Sequence, residues 1–372
     1  MELVKGSIQK YDLTADNKVH LLYISPRLNP QGYYRMIAPA MELNKTQTHK
    51  AILTQIENND FSNQFKDRIT KLPESLLLWA DYIIFPPIMD ALKYLTLAIK
   101  TVNPNVQFVM DLDKNYFVSP KIKFFTKKLK KESLQVLEEN IELMDLILVP
   151  THSFERFLNS KLKHTSINTF CLPTAISKLA LANNFSSKNR KANTSKIRIG
   201  FIQPTEEELL SLKAVILKTN RLFNEKIQWV CFGKPYESKE ADLLLKEVAC
   251  EVHASVSFSK YVEKLDSLNL NMVLLPAKES AYNFYKSSTI FLELAMIGVP
   301  VIASIFHSAK QLIKEEETGF LACEVNEWIT VIHHLITHPE LLEKMSTTLL
   351  KKSWDIHGFT KEHLNHFNEI FI

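Results

Sequence analysis

A single glutamate inside an apolar segment is the feature of this sequence that most directly suggests chemistry. Between Ile290 and Ile297 every residue is apolar except Glu293. A helix that is apolar on all sides is predicted to be buried. A buried carboxylate needs a specific partner, because the loss of its water costs several kcal/mol. A vicinal diol would satisfy Glu293, and we therefore predict that this residue binds a sugar ring.

The residues before Glu293 suit a phosphate group. Ser287 or Ser288 can cap the helix, and Lys286 precedes them. The backbone amides at the start of a helix attract anions, and so does a lysine. Gly298 can end the helix, and residues 299–303 are predicted to form a buried strand. One short helix would hold a diphosphate at its start and a sugar further along, which together describe a nucleotide-diphosphate site.

The composition favours a globular protein of two domains. The 372 residues are 46% hydrophobic and 23% charged. The net charge of +4, from 45 basic and 41 acidic residues, gives no reason to expect nucleic-acid binding. The four cysteines form neither a metal-like pair nor a disulfide framework, so reduced core thiols in a cytosolic protein are expected.

Neither a leader nor a membrane span is predicted. Residues 1–5 lack the apolar core of a signal peptide. The longest apolar run, residues 75–89, is interrupted by Asp81, Pro86 and Pro87 and is too short to cross a bilayer. We therefore expect a cytoplasmic protein.

Strands and helices are predicted to alternate along the chain. The predicted strands are residues 19–25, 50–56, 81–85, 106–111, 146–150, 167–172, 197–202, 227–232, 252–258, 271–275 and 299–303. The predicted helices include residues 36–43, 91–100, 132–144, 153–161, 206–222 and 354–372. Such alternation is typical of parallel sheets with helices on both faces. We place a first domain at 1–185, a polar linker at 186–196 and a second domain at 197–353.

Seven short motifs give the chain a resemblance to a known family. Together they resemble the family-4-like glycosyltransferases of the GT-B architecture, and most closely the bacterial polysaccharide or O-antigen type. The motifs are residues 258–261, 268–276, 284–287, 292–293, 300–304, 318–321 and 327–328. The first loop lacks Gly-x-Gly-x-x-Gly, which weighs against a dinucleotide oxidoreductase.

The resemblance implies an α/β fold of two Rossmann-like domains whose parallel sheets face each other across a cleft. It also implies that the C-terminal helix, about residues 354–372, returns to the first domain. The implied activity is transfer of a sugar, with retention, from a nucleotide-diphosphate sugar to a glycan or lipid-linked acceptor. Such enzymes make surface polysaccharides or glycoconjugates, and no cofactor or metal is expected.

On the donor side, the resemblance assigns the ribose to Glu293. It assigns the diphosphate to the backbone of three consecutive residues, Ser287, Ser288 and Thr289. Many family members carry a second glutamate eight positions before the first, where this chain has Tyr285. The role of that glutamate near the donor sugar could pass to Lys286 or Asn283, or be lost.

Two further residues are placed on the donor side. Gly233 closes the strand 227–232, and His307 lies in the loop after the strand 299–303. His307 could touch the donor sugar, although a lone loop histidine more often has no such role.

On the acceptor side, the segment Gly32-Tyr33-Tyr34-Arg35 is similar to the opening loop of these enzymes, which approaches the acceptor and the donor phosphates. Arg35 would act there as a fixed cation and, with Lys286, as a catalytic residue. The alternative is that Arg35 merely caps or solvates its helix.

A pair of aspartates follows the fourth predicted strand. Relatives often carry Asp-x-Asp-Asp here, and Lys114 replaces the last acid. We predict that Asp111 or Asp113 contacts the acceptor sugar. A metal site and a solvated turn are the alternatives, the first because paired carboxylates can bind a divalent ion.

The most basic stretch, Lys121–Lys131, interleaves lysines with phenylalanines. Such a pattern suits an anionic membrane surface, where each lysine contributes about 1 kcal/mol. Peripheral contact with the inner face of the cytoplasmic membrane is therefore predicted, and a solvated basic face is the alternative.

Two other functions stay open. Tyr285 and the absence of a cation from residues 203–208 are compatible with a non-catalytic GT-B protein that binds a nucleotide sugar or a partner transferase. A nucleotide-sugar epimerase or hydrolase of the same shape is a third hypothesis.

Overall fold

A computed structural model describes residues 12–14, 16–24, 28–54, 72–118, 131–177, 196–233 and 238–372. The chain forms two compact units. The first comprises Met1–Asn183, Tyr285–Ser287 and Phe359–Ile372, and the second comprises Asn184–Phe284 and Ser288–Gly358. The predicted linker up to residue 195 and the predicted membrane-binding stretch up to residue 130 lie outside the described residues.

The first unit contains a six-stranded sheet in which every strand pairing is parallel. Its spatial order is β2-β1-β3-β4-β5-β6. The strands are β1 Val19–Tyr23, β2 His49–Leu53, β3 Tyr82–Phe85, β4 Gln107–Asp111, β5 Leu146–Val149 and β6 Asn168–Cys171. The parallel pairings confirm the predicted parallel sheet. Buried apolar runs of this length are typical of strands in such sheets.

Helices cover both faces of this sheet. They are Pro30–Gly32, Ala38–Leu43, Glu74–Trp79, Lys93–Val102, Lys131–Ile141, His152–Lys161 and Lys361–Ile370. Successive side chains of β1 pack on opposite faces of the sheet. Leu22 belongs to one apolar cluster, whereas Leu21 and Tyr23 belong to the other. Phe367 and Ile370 of the last helix pack in the second cluster.

The helical segment after β1 contains a π-helix, which is wider than the plain helix that was predicted. Residues Tyr33–Ile37 form a π-helix between two α-helical pieces, whereas a plain helix was expected from residue 36. The cause is Pro39, which has no N–H to donate to the carbonyl four residues earlier and whose ring would clash with it. The Ala38 amide bonds instead to the Tyr33 carbonyl, five residues earlier.

The second unit contains another parallel six-stranded sheet with a different spatial order, β12-β11-β10-β7-β8-β9. Its strands are β7 Ile197–Ile202, β8 Ile227–Phe232, β9 Glu251–His253, β10 Met272–Leu275, β11 Val301–Ser304 and β12 Gly319–Ala322. Counted from β9, this is the 3-2-1-4-5-6 order of a Rossmann sheet, in which ligands bind at the carboxyl ends where the order reverses. That point lies between β7 and β10.

The α-helices of this half are Glu206–Ser211, Lys213–Phe223, Lys239–Glu247, Phe258–Ser267, Ala281–Tyr285, Thr289–Met296, Val325–Thr337 and Pro339–His357, with a 3₁₀ turn at Ser308–Gln311. Within the described ranges, none of the helices is both long and apolar enough to cross a membrane.

Three predicted elements were wrong in extent. The helix at 206–222 is divided at Leu212, where the Ser211 hydroxyl bonds back to the Glu208 carbonyl and loosens the turn. The strand at 252–258 ends at His253. The helix at 354–372 is two helices, because the chain is extended at Gly358 and a new helix begins after it.

Candidate functional site

Glu293 lies in the middle of the Thr289–Met296 helix and is 3% exposed. Its neighbours from Phe291 to Met296 are also buried. The prediction of a buried carboxylate on an apolar helix is therefore confirmed.

The carboxylate of Glu293 meets a phenol. Tyr261, on the Phe258–Ser267 helix, is 5% exposed, and its hydroxyl hydrogen-bonds to Glu293. Burial raises the pKa of Tyr261 well above its usual value, and the Glu293 charge raises it further. The Tyr261 ring stacks on Phe232, the last residue of β8, at a centroid distance of 5.4 Å. We did not predict this pairing from the sequence, although Tyr261 lies in one of the family-like motifs.

The start of this helix differs from the prediction. Ser288 occupies the cap position, but its side chain makes no capping hydrogen bond. The Ser287 hydroxyl points elsewhere and donates to Thr174 Oγ1 at 2.9 Å. The side chain at the cap position therefore does not cap the helix that begins at Thr289.

The end of the helix follows the prediction. Gly298 has a φ of +66°, a left-handed conformation that favours glycine. Its amide donates to the Ala295 carbonyl, and the next amide, of Val299, donates to the Leu294 carbonyl. A Cβ at Gly298 would lie 2.6 Å from Leu350 Cγ, so the close approach of the Pro339–His357 helix also requires glycine.

Tyr285 packs among aromatic residues of the first unit. Its ring centroid lies 5.2 Å from that of Phe157 and 5.9 Å from that of Phe154. Asn283 donates from its side-chain amide to the Lys278 carbonyl at 2.9 Å. Lys286 is partly exposed.

Gly233 and His307 both support local backbone. Gly233 has a φ of +74°, and a Cβ there would lie 2.9 Å from side-chain atoms of Gln203 and Ser255. His307 is buried, and its Nδ1 accepts a hydrogen bond from the Ala309 amide at the start of a 3₁₀ turn.

Arg35 and Asp111 form a buried ion pair in the first unit. They are 4% and 2% exposed, and Arg35 Nε lies 2.7 Å from Asp111 Oδ1. Arg35 Nη1 also donates to the Leu172 carbonyl at 2.6 Å and to Thr174 Oγ1 at 3.4 Å. Burial raises the pKa of Asp111, and the guanidinium opposes this effect. The alternatives of a solvated Arg35 and, for Asp111, a solvated turn were therefore wrong.

One polar atom of each side chain in this ion pair lacks a hydrogen bond within the described part of the chain. These atoms are Arg35 Nη2 and Asp111 Oδ2, and both are buried. The tail helix approaches this pair. The pKa of His363 is lowered to about 4 by burial, with smaller contributions from the charges of His366 and Arg35.

Asp113 is engaged separately from Asp111. It accepts a hydrogen bond from the Tyr116 hydroxyl at 2.7 Å, and its other oxygen lies 3.9 Å from Lys114 Nζ. Among the residues that the structure describes, no group of three or more His, Cys, Asp or Glu side chains is placed to hold a metal ion.

The remaining acceptor-side residues are buried. The Gly32 amide donates to Asn29 Oδ1 at 2.8 Å. The rings of Tyr33 and Tyr34 meet edge to face, with their centroids 4.9 Å apart. All three lie in or beside the π-helix that carries Arg35, so the structure brings them together with Arg35 and Asp111.

The second unit also contains a cavity of about 440 Å³ beyond the ends of β10, β11 and β12. None of the predicted site residues lines this cavity, whose walls include Ser211, Leu212, Pro276, Ser304 and Trp328.

Whole-chain comparison identifies the architecture. The structure is similar to a sucrose-phosphate synthase from Thermosynechococcus elongatus, with a TM-score of 0.58 and 12% identity over 95% of this chain and 98% of that chain. It is similar to Anabaena HepE in complex with UDP and glucose, with a TM-score of 0.59 and 11% identity over 94% and 97% of the two chains. The chain has the GT-B fold.

A glycosyltransferase from Rickettsia africae is similar over 96% of this chain and 98% of its own, with a TM-score of 0.59 and 12% identity. No protein-family model matches the sequence, and no curated protein matches it significantly. The predicted GT-B architecture is thus confirmed, and membership of the family-4 or O-antigen type stays a prediction.

Proposed function

We propose that this chain is a glycosyltransferase that moves a sugar from a nucleotide-diphosphate sugar to a glycan or lipid-linked acceptor. The observation that carries the proposal is Glu293, a carboxylate that is 3% exposed in the middle of the Thr289–Met296 helix. That helix follows β10, which adjoins the point where the strand order of the second sheet reverses. The GT-B fold of the chain supports this function, and so does the UDP in the similar HepE structure.

Each part of the helix has a role in this proposal. The diol of the donor ribose binds to Glu293. The diphosphate lies against the backbone from Ser287 to Thr289, where helix-start amides stabilise negative charge. Because charge grows on the β-phosphate as the sugar leaves, these preorganised donors and Lys286 assist the reaction without a metal.

The acceptor side is assigned to the first unit. Asp111 pairs with Arg35, and both are buried, so Arg35 acts on the reaction by ordering the segment Gly32–Tyr34 and the ends of β4 and β6. Asp113 is the more exposed of the two aspartates and is the acceptor contact in this proposal. Retention of configuration, a place in polysaccharide synthesis and membrane contact through residues 121–131 belong to the same proposal.

The test is calorimetric titration of the full chain with UDP, GDP and ADP, followed by donor-turnover assays with the matching nucleotide sugars. We expect Glu293→Ala to weaken binding of the preferred nucleotide by at least tenfold, since it removes the ribose contact. Glu42→Gln is the matched control, because Glu42 is a buried acid of the first unit that pairs with Ser177 and Lys45. Equal affinities of Glu293→Ala and the unmodified chain would contradict the proposal.

The second candidate is a non-catalytic GT-B protein that binds a nucleotide sugar or a partner transferase. It is favoured by Tyr285, whose ring packs on Phe154 and Phe157 where relatives have a carboxylate. Tight nucleotide binding without turnover on any acceptor extract would select this candidate. Breakdown of the donor without an acceptor would select a hydrolase or epimerase instead.

A further inference from the structure

The contact between Tyr261 and Glu293 joins two helices of the second unit. One partner lies on the Phe258–Ser267 helix and the other on the Thr289–Met296 helix. Both side chains are buried, and the Tyr261 hydroxyl hydrogen-bonds to the Glu293 carboxylate. A partner that is already in place before any ligand arrives determines where the carboxylate points.

The position of the Tyr261 ring is fixed from two sides. Its ring stacks on that of Phe232, with an angle of 23° between the planes, and Phe232 itself is fully buried at the end of β8. Its own helix buries Val262 and Leu265 beside it. A stacked aromatic ring loses little freedom when its polar tip makes a hydrogen bond, so the phenol is a rigid donor.

The chemistry of the pair suits a ligand with two hydroxyls. A phenol whose pKa is raised well above its usual value stays protonated, and it therefore always donates. A carboxylate offers about four lone-pair sites on its two oxygens, and the phenol takes one of them.

We propose that Tyr261 is a positioning residue, whose hydroxyl holds the Glu293 carboxylate in the orientation that receives the ribose diol. This inference rests on the proposed function, and it adds a residue that acts through Glu293 without touching the nucleotide. If the contact only stabilised the fold, removing the Tyr261 hydroxyl would weaken the binding of nucleotides with and without a diol to the same extent.

The deciding experiment compares UDP with 2′,3′-dideoxy-UDP, which lacks the diol, by calorimetric titration of the full chain and its Tyr261→Phe variant. Where GDP or ADP binds more tightly, that nucleotide and its dideoxy analogue are used. We expect the unmodified chain to prefer the diol-bearing nucleotide by about tenfold or more. In Tyr261→Phe this preference falls severalfold, while the affinity for the dideoxy nucleotide stays the same.

Two controls separate positioning from loss of structure. Tyr82→Phe removes a hydroxyl that donates to the Ile372 carbonyl at 3.0 Å in the first unit, and it should leave the preference unchanged. Adding Tyr261→Phe to Glu293→Gln should have less effect than adding it to the unmodified chain, because the two residues act as one unit.

The outcomes are distinct. A full preference for the diol in Tyr261→Phe, or equal weakening of both nucleotides, would overturn the positioning role while leaving the proposed function intact. Failure of the unmodified chain to bind any of the three nucleotides would instead reject the proposed function, and the inference with it.

Discussion

The two units bury a charged side chain in different ways. In the first unit, the Arg35 guanidinium meets an opposite charge on Asp111 and also donates to the Leu172 carbonyl. In the second, the Glu293 carboxylate accepts a hydrogen bond from the phenol of Tyr261. The first arrangement pairs opposite charges, whereas the second joins a carboxylate to a phenol.

The strand orders of the two sheets differ as well. The first sheet reverses its order between β1 and β3, and the second between β7 and β10. Arg35 reaches from the helix after β1 to residues at the ends of β4 and β6, so it ties distant strands together. Glu293 lies on a helix that follows β10 in the chain, and β10 adjoins the reversal point. A buried charge thus links separate strands in the first unit, whereas the role that we propose for the buried acid of the second unit is to bind a ligand.

The largest expected effect comes from breaking the buried ion pair between Arg35 and Asp111. Asp111→Leu leaves the Arg35 guanidinium buried without its counter-charge, and we expect it to lower the free energy of unfolding by about 3–5 kcal/mol. Urea unfolding of the purified chain measures this value. Restoring neutrality with Arg35→Met in the same chain should recover much of the loss.

The matched control for this prediction is an ion pair of the second unit. Arg198 Nη2 lies 2.8 Å from a Glu251 oxygen, and the Glu251 side chain is 39% exposed. Glu251→Leu should therefore lower stability by at most about 1 kcal/mol. If Asp111→Leu proved no more harmful than Glu251→Leu, the distinction between the two pairs would fail.

A medium effect is expected from acidification, through one histidine of each unit. Burial lowers the pKa of His363 to about 4 in the first unit and that of His357 to about 4 in the second. An unfolded histidine titrates near 6.5, so between pH 6.5 and 4 the unfolded chain binds more protons. Stability is therefore fully present above pH 6.5 and falls as the pH drops towards 4.

Replacing these histidines separates their contributions. His363→Gln and His357→Gln should each reduce the loss of stability between pH 7 and 4.5, by about 2 kcal/mol after allowance for partial exposure. Urea midpoints measured across this range check the expectation. If neither substitution changed how the urea midpoint depends on pH, other groups would have to cause the acid sensitivity.

The smallest effect is expected at Tyr285. Tyr285→Ala removes a ring that contacts Phe154 and Phe157, and it should lower the free energy of unfolding by about 1–2 kcal/mol. Tyr285→Phe keeps the ring and should change stability by less than about 0.5 kcal/mol. Thermal unfolding distinguishes the two variants, and equal losses would mean that the hydroxyl, not the ring, is what the structure needs.

Much of the fold could be predicted because its signals are local. Strands such as β7 and β8 are buried apolar runs, and the end of the Glu293 helix is marked by Gly298. The breaks were harder to predict. Leu212 ends a helix through one hydroxyl-to-carbonyl bond of its neighbour, which does not alter the hydrophobic period.

Single charged residues could be selected from the sequence, but their partners could not. Glu293 stood out as the one acid in an apolar segment, and it is buried. Arg35 and Asp111 are separated by 76 positions, and only the sheet brings them within hydrogen-bond distance. Tyr261 was overlooked as a partner of Glu293 for the same reason, since a buried tyrosine on an amphipathic helix is ordinary until its neighbour is known.

The wide turn that precedes Pro39 gives the first unit an unusual sensitivity to chain length. A π-turn accommodates one more residue than an α-turn over the same rise, so the direction of Arg35 is tied to a one-residue insertion. A single deletion between Tyr33 and Ile37 would remove this extra residue and restore ordinary helical winding. The shortened segment would then place a different residue, or Arg35 at a different angle, opposite Asp111. Here the number of residues in a helix, as much as their identity, decides which carboxylate an arginine can reach.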